Sequence, residues 1–234
     1  MSSIAENLQA VRDAIVAAAR NAGREPAEVA LLAVSKTFGA DAVLAAMAAG
    51  QRAFGENYLQ EALDKMAELA RLDPGLQPEW HFIGPIQSNK TRLIAEHFAW
   101  VHSVDRVKIA ERLSQQRPAA LPPLNICLQV NISNEASKSG VAPADALALA
   151  QQVAALPRIA LRGLMAIPEP AADEAAQRRP FAQLRALAER LRAQGLAIDT
   201  LSMGMSADLA AAIAEGATMV RIGTAIFGKR DYAN

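Results

Sequence analysis

The segment Val220-Arg221-Ile222-Gly223-Thr224-Ala225-Ile226-Phe227-Gly228 reads as a buried strand that ends in a tight turn and opens a helix. Met219, Val220 and Ile222 supply an apolar, β-branched run. Gly223 has no Cβ to keep a ligand from the backbone. Thr224 offers a hydroxyl, and the first amides of a helix lack internal partners. Those amides and the helix dipole favour an anion such as phosphate. Arg221 alternates with Val220 and Ile222, so its side chain leaves the opposite face of the strand. A guanidinium there is costly to bury unless paired. A plain strand-turn-helix with an Arg salt bridge explains this segment equally well, and the remaining sequence has to separate the two readings.

Working outward, the same alternation recurs along the chain. Residues Ile4 to Ala22 form an amphipathic helix stopped by Gly23. Strands are expected at Val29 to Ser35, Ala53 to Gly55, Trp80 to Gly84 and Trp100 to Val104. Four more are expected at Leu124 to Ile132, Ile159 to Ile167, Thr200 to Met203 and Thr218 to Ile222. The intervening helices are Asp41–Ala49, Tyr58–Leu72, Asn89–Phe98 and one capped by Asp105 that runs to Gln116. The rest are Pro143–Leu156, Glu174–Gln194 and Ala207–Ala214, with Pro168–Pro180 as the loosest surface stretch. Eight strand-helix units behind one extra N-terminal helix imply parallel pairing and a single small (β/α)₈ TIM barrel spanning residues 1–234. An open doubly wound sheet fits less well, because no Gly-x-Gly-x-x-Gly follows the first strand.

Composition narrows the function. The 234 residues carry a formal net charge of zero and are 52% hydrophobic, which suits one well-buried domain. Balanced charge and the lack of a basic run argue against nucleic acid. No apolar stretch reaches the roughly 18 residues of a membrane span, and the N-terminal segment does not read as a signal peptide. One cysteine, Cys127, excludes an internal disulfide. The three histidines are scattered, so no metal site is expected. These features fit a cytoplasmic protein.

Barrels of this type place chemistry at the C-terminal ends of their strands. Those ends read Lys36, Glu56 and Asn57, Gln87 and Asn89, Asn131, Met165, Ser206, then Arg221 with Gly223 and Thr224. Lys36 follows Leu32 and Val34 in phase, so its ammonium should enter the barrel mouth. Partial desolvation would lower its pKa and make the amine a usable nucleophile. A lysine, an arginine and an anion turn on one mouth fit a phosphorylated aldehyde held as a Schiff base. Ser206 reads as a helix cap that also meets the ligand. Met165 and Met203 are equally suited to core filling and to packing on a ligand ring. His81 suits structural hydrogen bonding, and Lys138 suits solvent.

Taken together, Leu32-Ala33-Val34-Ser35-Lys36-Thr37, Phe54-Gly55-Glu56-Asn57-Tyr58, and His81-Phe82-Ile83-Gly84 with Gln87-Ser88-Asn89-Lys90 form a distinctive first half. Gly163-Leu164-Met165, Leu201 to Asp208, and Val220 to Thr224 with Phe227-Gly228 form the second. Over nearly its whole length the chain resembles the pyridoxal phosphate homeostasis proteins, small barrel relatives of alanine racemase. The resemblance implies pyridoxal 5′-phosphate (PLP) bound covalently to Lys36, with Ser206, Gly223 and Thr224 on the phosphate. It implies Arg221 on the pyridine nitrogen, with Asn57, Met165 and Met203 near the ring. It also implies a monomeric carrier or regulator in vitamin B6 balance, without an established reaction. Its partners would be PLP-dependent apoenzymes or amino and 2-oxo acids. A weak PLP-dependent racemase is the alternative. It would need a second acid/base, and neither Tyr58 nor Tyr232 belongs to the separate domain that supplies one in racemases of this lineage.

Overall fold

The computed structural model describes residues 3–133 and 139–228. Among these residues, eight strands pair in parallel in sequence order and close into a barrel. They are β1 Ala30–Val34, β2 Ala53–Glu56, β3 Glu79–Phe82, β4 Trp100–Val104, β5 Leu124–Gln129, β6 Ile159–Met165, β7 Thr200–Ser202 and β8 Met219–Ile222. Closure is made by β8 on β1, with Leu32 opposite Arg221 and Ala33 opposite Ile222. The (β/α)₈ TIM barrel read from the sequence is the fold observed.

Nine helices are described: α1 Ile4–Asn21, α2 Ala40–Ala48, α3 Leu59–Leu72, α4 Thr91–His97, α5 Val107–Gln116, α6 Ala146–Ala154, α7 Glu174–Ala193, α8 Leu209–Ala214 and α9 Thr224–Phe227. Helix α1 begins with a capping box, in which Ser3 and Glu6 each accept the other's backbone N–H. Its buried stripe of Leu8, Val11, Ile15 and Ala19 recurs every three or four residues. Beside it, polar contacts tie the first part of the chain to the last. Asn7 Nδ2 donates to Ile226 O at 2.9 Å, and Arg24 Nη1 donates to Ile213 O at 2.9 Å and Ala217 O at 2.8 Å.

The core sits between the barrel wall and this helical ring. Val220, Ile222, Phe54 and Leu164 point outward into it and are essentially inaccessible to solvent.

Several boundaries differ from the sequence reading. Strand β5 ends at Gln129, and Val130 instead makes a lone bridge to Val141. Asp105 does not cap α5: the cap position is Arg106, and Asp105 accepts from its guanidinium. Helix α6 starts at Ala146, after a turn that contains Pro143. Helix α7 is already formed at Glu174, because Asp173 accepts from Ala176 N at 2.8 Å, so Pro180 lies inside the helix and not in a loop.

Candidate functional site

A pocket of about 340 Å³ opens at the C-terminal ends of the strands. Its polar border is Lys36, Asn57, Ser206, Arg221, Gly223 and Thr224. Phe38, Ile83, Ile167 and Met205 supply apolar surface. The first group comes from four separate strand ends, yet meets around one hollow large enough for a small aromatic ligand. A hollow of about 380 Å³ lies at the other end, where Arg12, Gln51 and Arg52 border the starts of β1 and β2. It lies away from the strand ends where barrels of this kind carry chemistry.

Two glycines shape the mouth. A Cβ on Gly84 would lie 2.1 Å from Asn57 O, so only glycine lets the end of β3 pass the residue that follows β2. A Cβ on Gly223 would meet Val34 O at 3.1 Å. Its φ of −116° is ordinary, so the glycine serves close approach of the turn to β1. The helical bonds after this turn begin with Ile226 and Phe227 donating to Gly223 O. The amides ahead of them are those that a helix start leaves for an external acceptor.

Lys36 is half-buried and follows the last residues of β1. Its neighbours are held by a buried polar cluster that sequence reading missed. Lys65 Nζ donates to Ser35 O at 2.8 Å, to Glu56 Oε1 at 2.6 Å and to Glu61 Oε1 at 3.2 Å. Ser35 Oγ donates to the same Glu56 oxygen at 2.6 Å. Burial pushes the Glu56 carboxyl up from its ordinary value, against the opposing pull of Lys65. Glu56 Oε2 has no partner among the described residues. Thr37 stands at φ +70°, a left-handed conformation rare for a β-branched residue, and its N–H donates to Glu61 Oε1 at 2.5 Å. One signal was legible: Lys65 occupies the buried stripe of α3 between Ala62 and Leu69, where an apolar residue belongs.

Arg221 is buried and turns inward, as its alternation with Val220 and Ile222 predicted. It pairs with no carboxylate among the described residues. Instead Nη1 donates to Ser202 O at 2.6 Å and Ser202 Oγ at 2.9 Å, and Nη2 donates to Ala166 O at 3.1 Å. Burial lowers its pKa to about 10, which still leaves it cationic at neutral pH. The guanidinium thus braces β8 against β7 and the end of β6 while bordering the pocket.

Other candidates fall elsewhere. Met165 and Met203 are fully buried and do not border the pocket. Met165 packs with Trp100 and Cys127, and Met203 belongs to the main core. Ser206 is exposed at the mouth but caps nothing. The cap position of α8 is Asp208, whose carboxylate accepts from Met205 N at 2.6 Å. Gln87, Asn89 and Asn131 do not line the pocket. Lys138 and Tyr232 lie outside the described residues.

This barrel and its mouth define a class. Residues 6–231 match the family of the alanine racemase N-terminal domain. The chain belongs to the pyridoxal phosphate homeostasis proteins within that class. It is 68% identical to the pyridoxal phosphate homeostasis protein of Pseudomonas aeruginosa, covering 99% of this chain and 98% of the relative. With the protein of that name from Escherichia coli K12 the identity is 57%, over 100% of this chain and 99% of the relative. PipY of Synechococcus elongatus PCC7942, solved with PLP bound, superposes with a TM-score of 0.83 at 41% identity. That match covers 97% of this chain and 100% of PipY.

Proposed function

We propose that this protein holds PLP at the C-terminal mouth of the barrel and serves intracellular PLP balance as a carrier, without a reaction of its own. One observation carries the reading. Lys36, Ser206, Arg221, Gly223 and Thr224 lie up to 188 positions apart in sequence (224 − 36), and all border one pocket. In this reading Lys36 Nζ takes the covalent bond. Ser206, Gly223 and Thr224 receive the phosphate, Asn57 flanks the ring, and Arg221 faces the ring nitrogen. The residues fit that group: the glycine turn leaves room at the backbone, and Asn57 Oδ1 is a buried acceptor with no partner among the described residues.

The cofactor, when bound, supplies an aldehyde and a conjugated ring able to accept electrons. The protein's own groups limit that chemistry. Arg221 only donates, so it leaves a facing ring nitrogen unprotonated and the ring a poorer electron sink. Lys36 and Arg221 are the only ionisable side chains bordering the pocket among the described residues, which favours holding the group over shuttling protons. The working unit in this reading is the single barrel, as a cytoplasmic monomer. PLP-dependent apoenzymes or amino and 2-oxo acids would receive or displace the cofactor.

The test is an absorbance spectrum of purified protein given PLP, followed by borohydride reduction and peptide mapping. A visible band that disappears on reduction is expected, with the pyridoxyl group on Lys36. Lys36→Ala should lose the band and keep the fold. Label found mainly on Lys90 or Lys138 would overturn the assignment. Incubation with single-enantiomer alanine checks the carrier reading, which racemisation dependent on Lys36 would refute.

A further inference from the structure

Three buried side chains and one exposed at its tip continue from Arg221 through the barrel interior to its opposite end. Arg221 Nη1 donates to Ser202 Oγ at 2.9 Å. Ser202 Oγ lies 2.8 Å from His102 Nδ1, and His102 Nε2 lies 2.9 Å from His81 Nδ1. His81 Nε2 lies 2.9 Å from Glu79 Oε1. Glu79 opens β3 at the far mouth and is half exposed, whereas both imidazoles and Ser202 are inaccessible. The series therefore crosses from β8 and β7 to β4 and β3.

The Glu79 end sets where the protons sit, and the Arg221 end is compatible with that order. Arg221 has donors only, so Ser202 Oγ accepts from it and keeps its own proton free to turn to His102 Nδ1. In that order His102 carries its proton on Nε2 and donates to His81 Nδ1. At the other end, the His81 contact holds the Glu79 carboxyl below its usual range, so Glu79 is ionised and accepts. That requires the His81 proton on Nε2, the same direction as before. Burial keeps both imidazoles neutral, which preserves one donor and one acceptor on each ring. His81 is further fixed by stacking on Trp100, with ring centroids 5.4 Å apart and an interplanar angle of 4°, and the Arg162 guanidinium covers Trp100 at 5.0 Å.

We propose that Ser202, His102 and His81 are positioning residues for Arg221, forming a one-way donor chain from the pocket floor to Glu79. The chain ties the guanidinium to a carboxylate at the opposite mouth through neutral groups. Its direction is held by the Glu79 carboxylate, which accepts from His81, while Arg221 presents a donor to the pocket floor. For its effect on the ligand the proposal rests on the reading that the pocket takes PLP with its ring nitrogen at Arg221. The ring then meets an acceptor-seeking floor whose orientation is set from outside the pocket.

Long-range proton–nitrogen correlation spectra of the ligand-free protein test the chain directly. Unprotonated imidazole nitrogens resonate well downfield of protonated ones. Both His81 and His102 should show a protonated Nε2 and a bare Nδ1. In Ser202→Ala, His102 should keep its Nε2 proton while its Nδ1, having lost its donor, resonates further downfield, and the visible band of the PLP-loaded protein should move. Ser202→Thr, which keeps the hydroxyl, should restore both signals. A protonated Nδ1 on either wild-type ring would overturn the proposal. So would a Ser202→Ala protein whose His102 nitrogen shifts match those of the wild type. Wild-type protein that takes up no PLP would instead sink the functional reading, leaving the chain to be judged on nitrogen shifts, which need no ligand.

Discussion

Replacing Lys65 by methionine should be among the most damaging single changes outside the pocket. The ammonium is nearly inaccessible and makes three bonds, to Ser35 O, Glu56 Oε1 and Glu61 Oε1. Methionine fills the space but leaves the inaccessible Glu56 carboxylate with Ser35 Oγ as its remaining donor. Removing one partner of a buried ion pair costs about 3–5 kcal/mol, mostly through the charge left behind. For a chain of this size that corresponds to a fall in Tm of about 6–20 °C. Glu56 can limit the loss by taking up a proton, a step already favoured by its raised pKa. Thermal unfolding followed by circular dichroism, with reversibility checked, reads the effect. The double variant Lys65→Met/Glu56→Gln separates charge from shape. With the carboxylate neutralised it should regain most of the lost stability, so the two substitutions should be strongly non-additive. Simple additivity, or a loss below about 1 kcal/mol in the single variant, would refute the claim that an uncompensated buried charge is what Lys65 prevents.

Three further outcomes are expected. His81 and His102 have folded pKa values below their ordinary 6.5, so their contribution to stability is present above that pH and lost as pH falls toward the folded values. The slope is bounded by about 2.7 kcal/mol per pH unit, twice the 1.36 of a single site. Urea unfolding between pH 7.5 and 5.5, compared with a His81→Gln/His102→Gln protein, measures it, and equal slopes in the two proteins would count against it. Gly84→Ala should cost about 1–3 kcal/mol or more, because the new methyl meets backbone that cannot move aside. It should also weaken PLP binding by shifting Asn57, and unchanged affinity and Tm would contradict the close approach. Ser206→Ala should lower PLP affinity roughly tenfold or more through one lost hydrogen bond to a charged group. Tm should stay unchanged because Ser206 caps no helix, and equilibrium titration with calorimetry distinguishes the two effects.

Much of the barrel was legible because buried parallel strands are short apolar runs closed by Gly, Pro or polar residues. Trp100–Val104 stands where its pattern put it. The pocket's polar border was legible for the same reason, since strand ends in a barrel converge whatever their separation in sequence. Errors arose where local chemistry offered two choices. Ser206 and Asp208 are both good cap residues, and the later one occupies the cap position. The methionines were harder. Strand β6 shifts register against β5 between Ile126 and Cys127, so which residue reaches the mouth depends on an irregularity that periodicity does not show. The donor chain behind Arg221 was not legible at all. Its members are ordinary residues on β3, β4, β7 and β8, and only barrel closure brings them into contact.

The pairing of β1 with β8 has a consequence during synthesis. Ala30 to Ala33 find their partners at Met219 to Ile222, so the first strand to leave the ribosome waits for the last. Until then β1 is an open edge, the kind of strand that pairs with other chains. Helix α1 and the turn after it wait as well, because Asn7 and Arg24 bond to carbonyls from Ile213 to Ile226. Lys36 is made early, but Arg221, Gly223 and Thr224 arrive almost 190 residues later (224 − 36 = 188). A nascent chain stalled before residue 221 therefore carries Lys36 without the residues that complete the proposed cup around a ligand. If the pocket takes PLP as proposed, ligand capture reports the emergence of the eighth strand, and titrating ribosome-bound chains of increasing length would show uptake rising in a single step as that strand clears the exit tunnel.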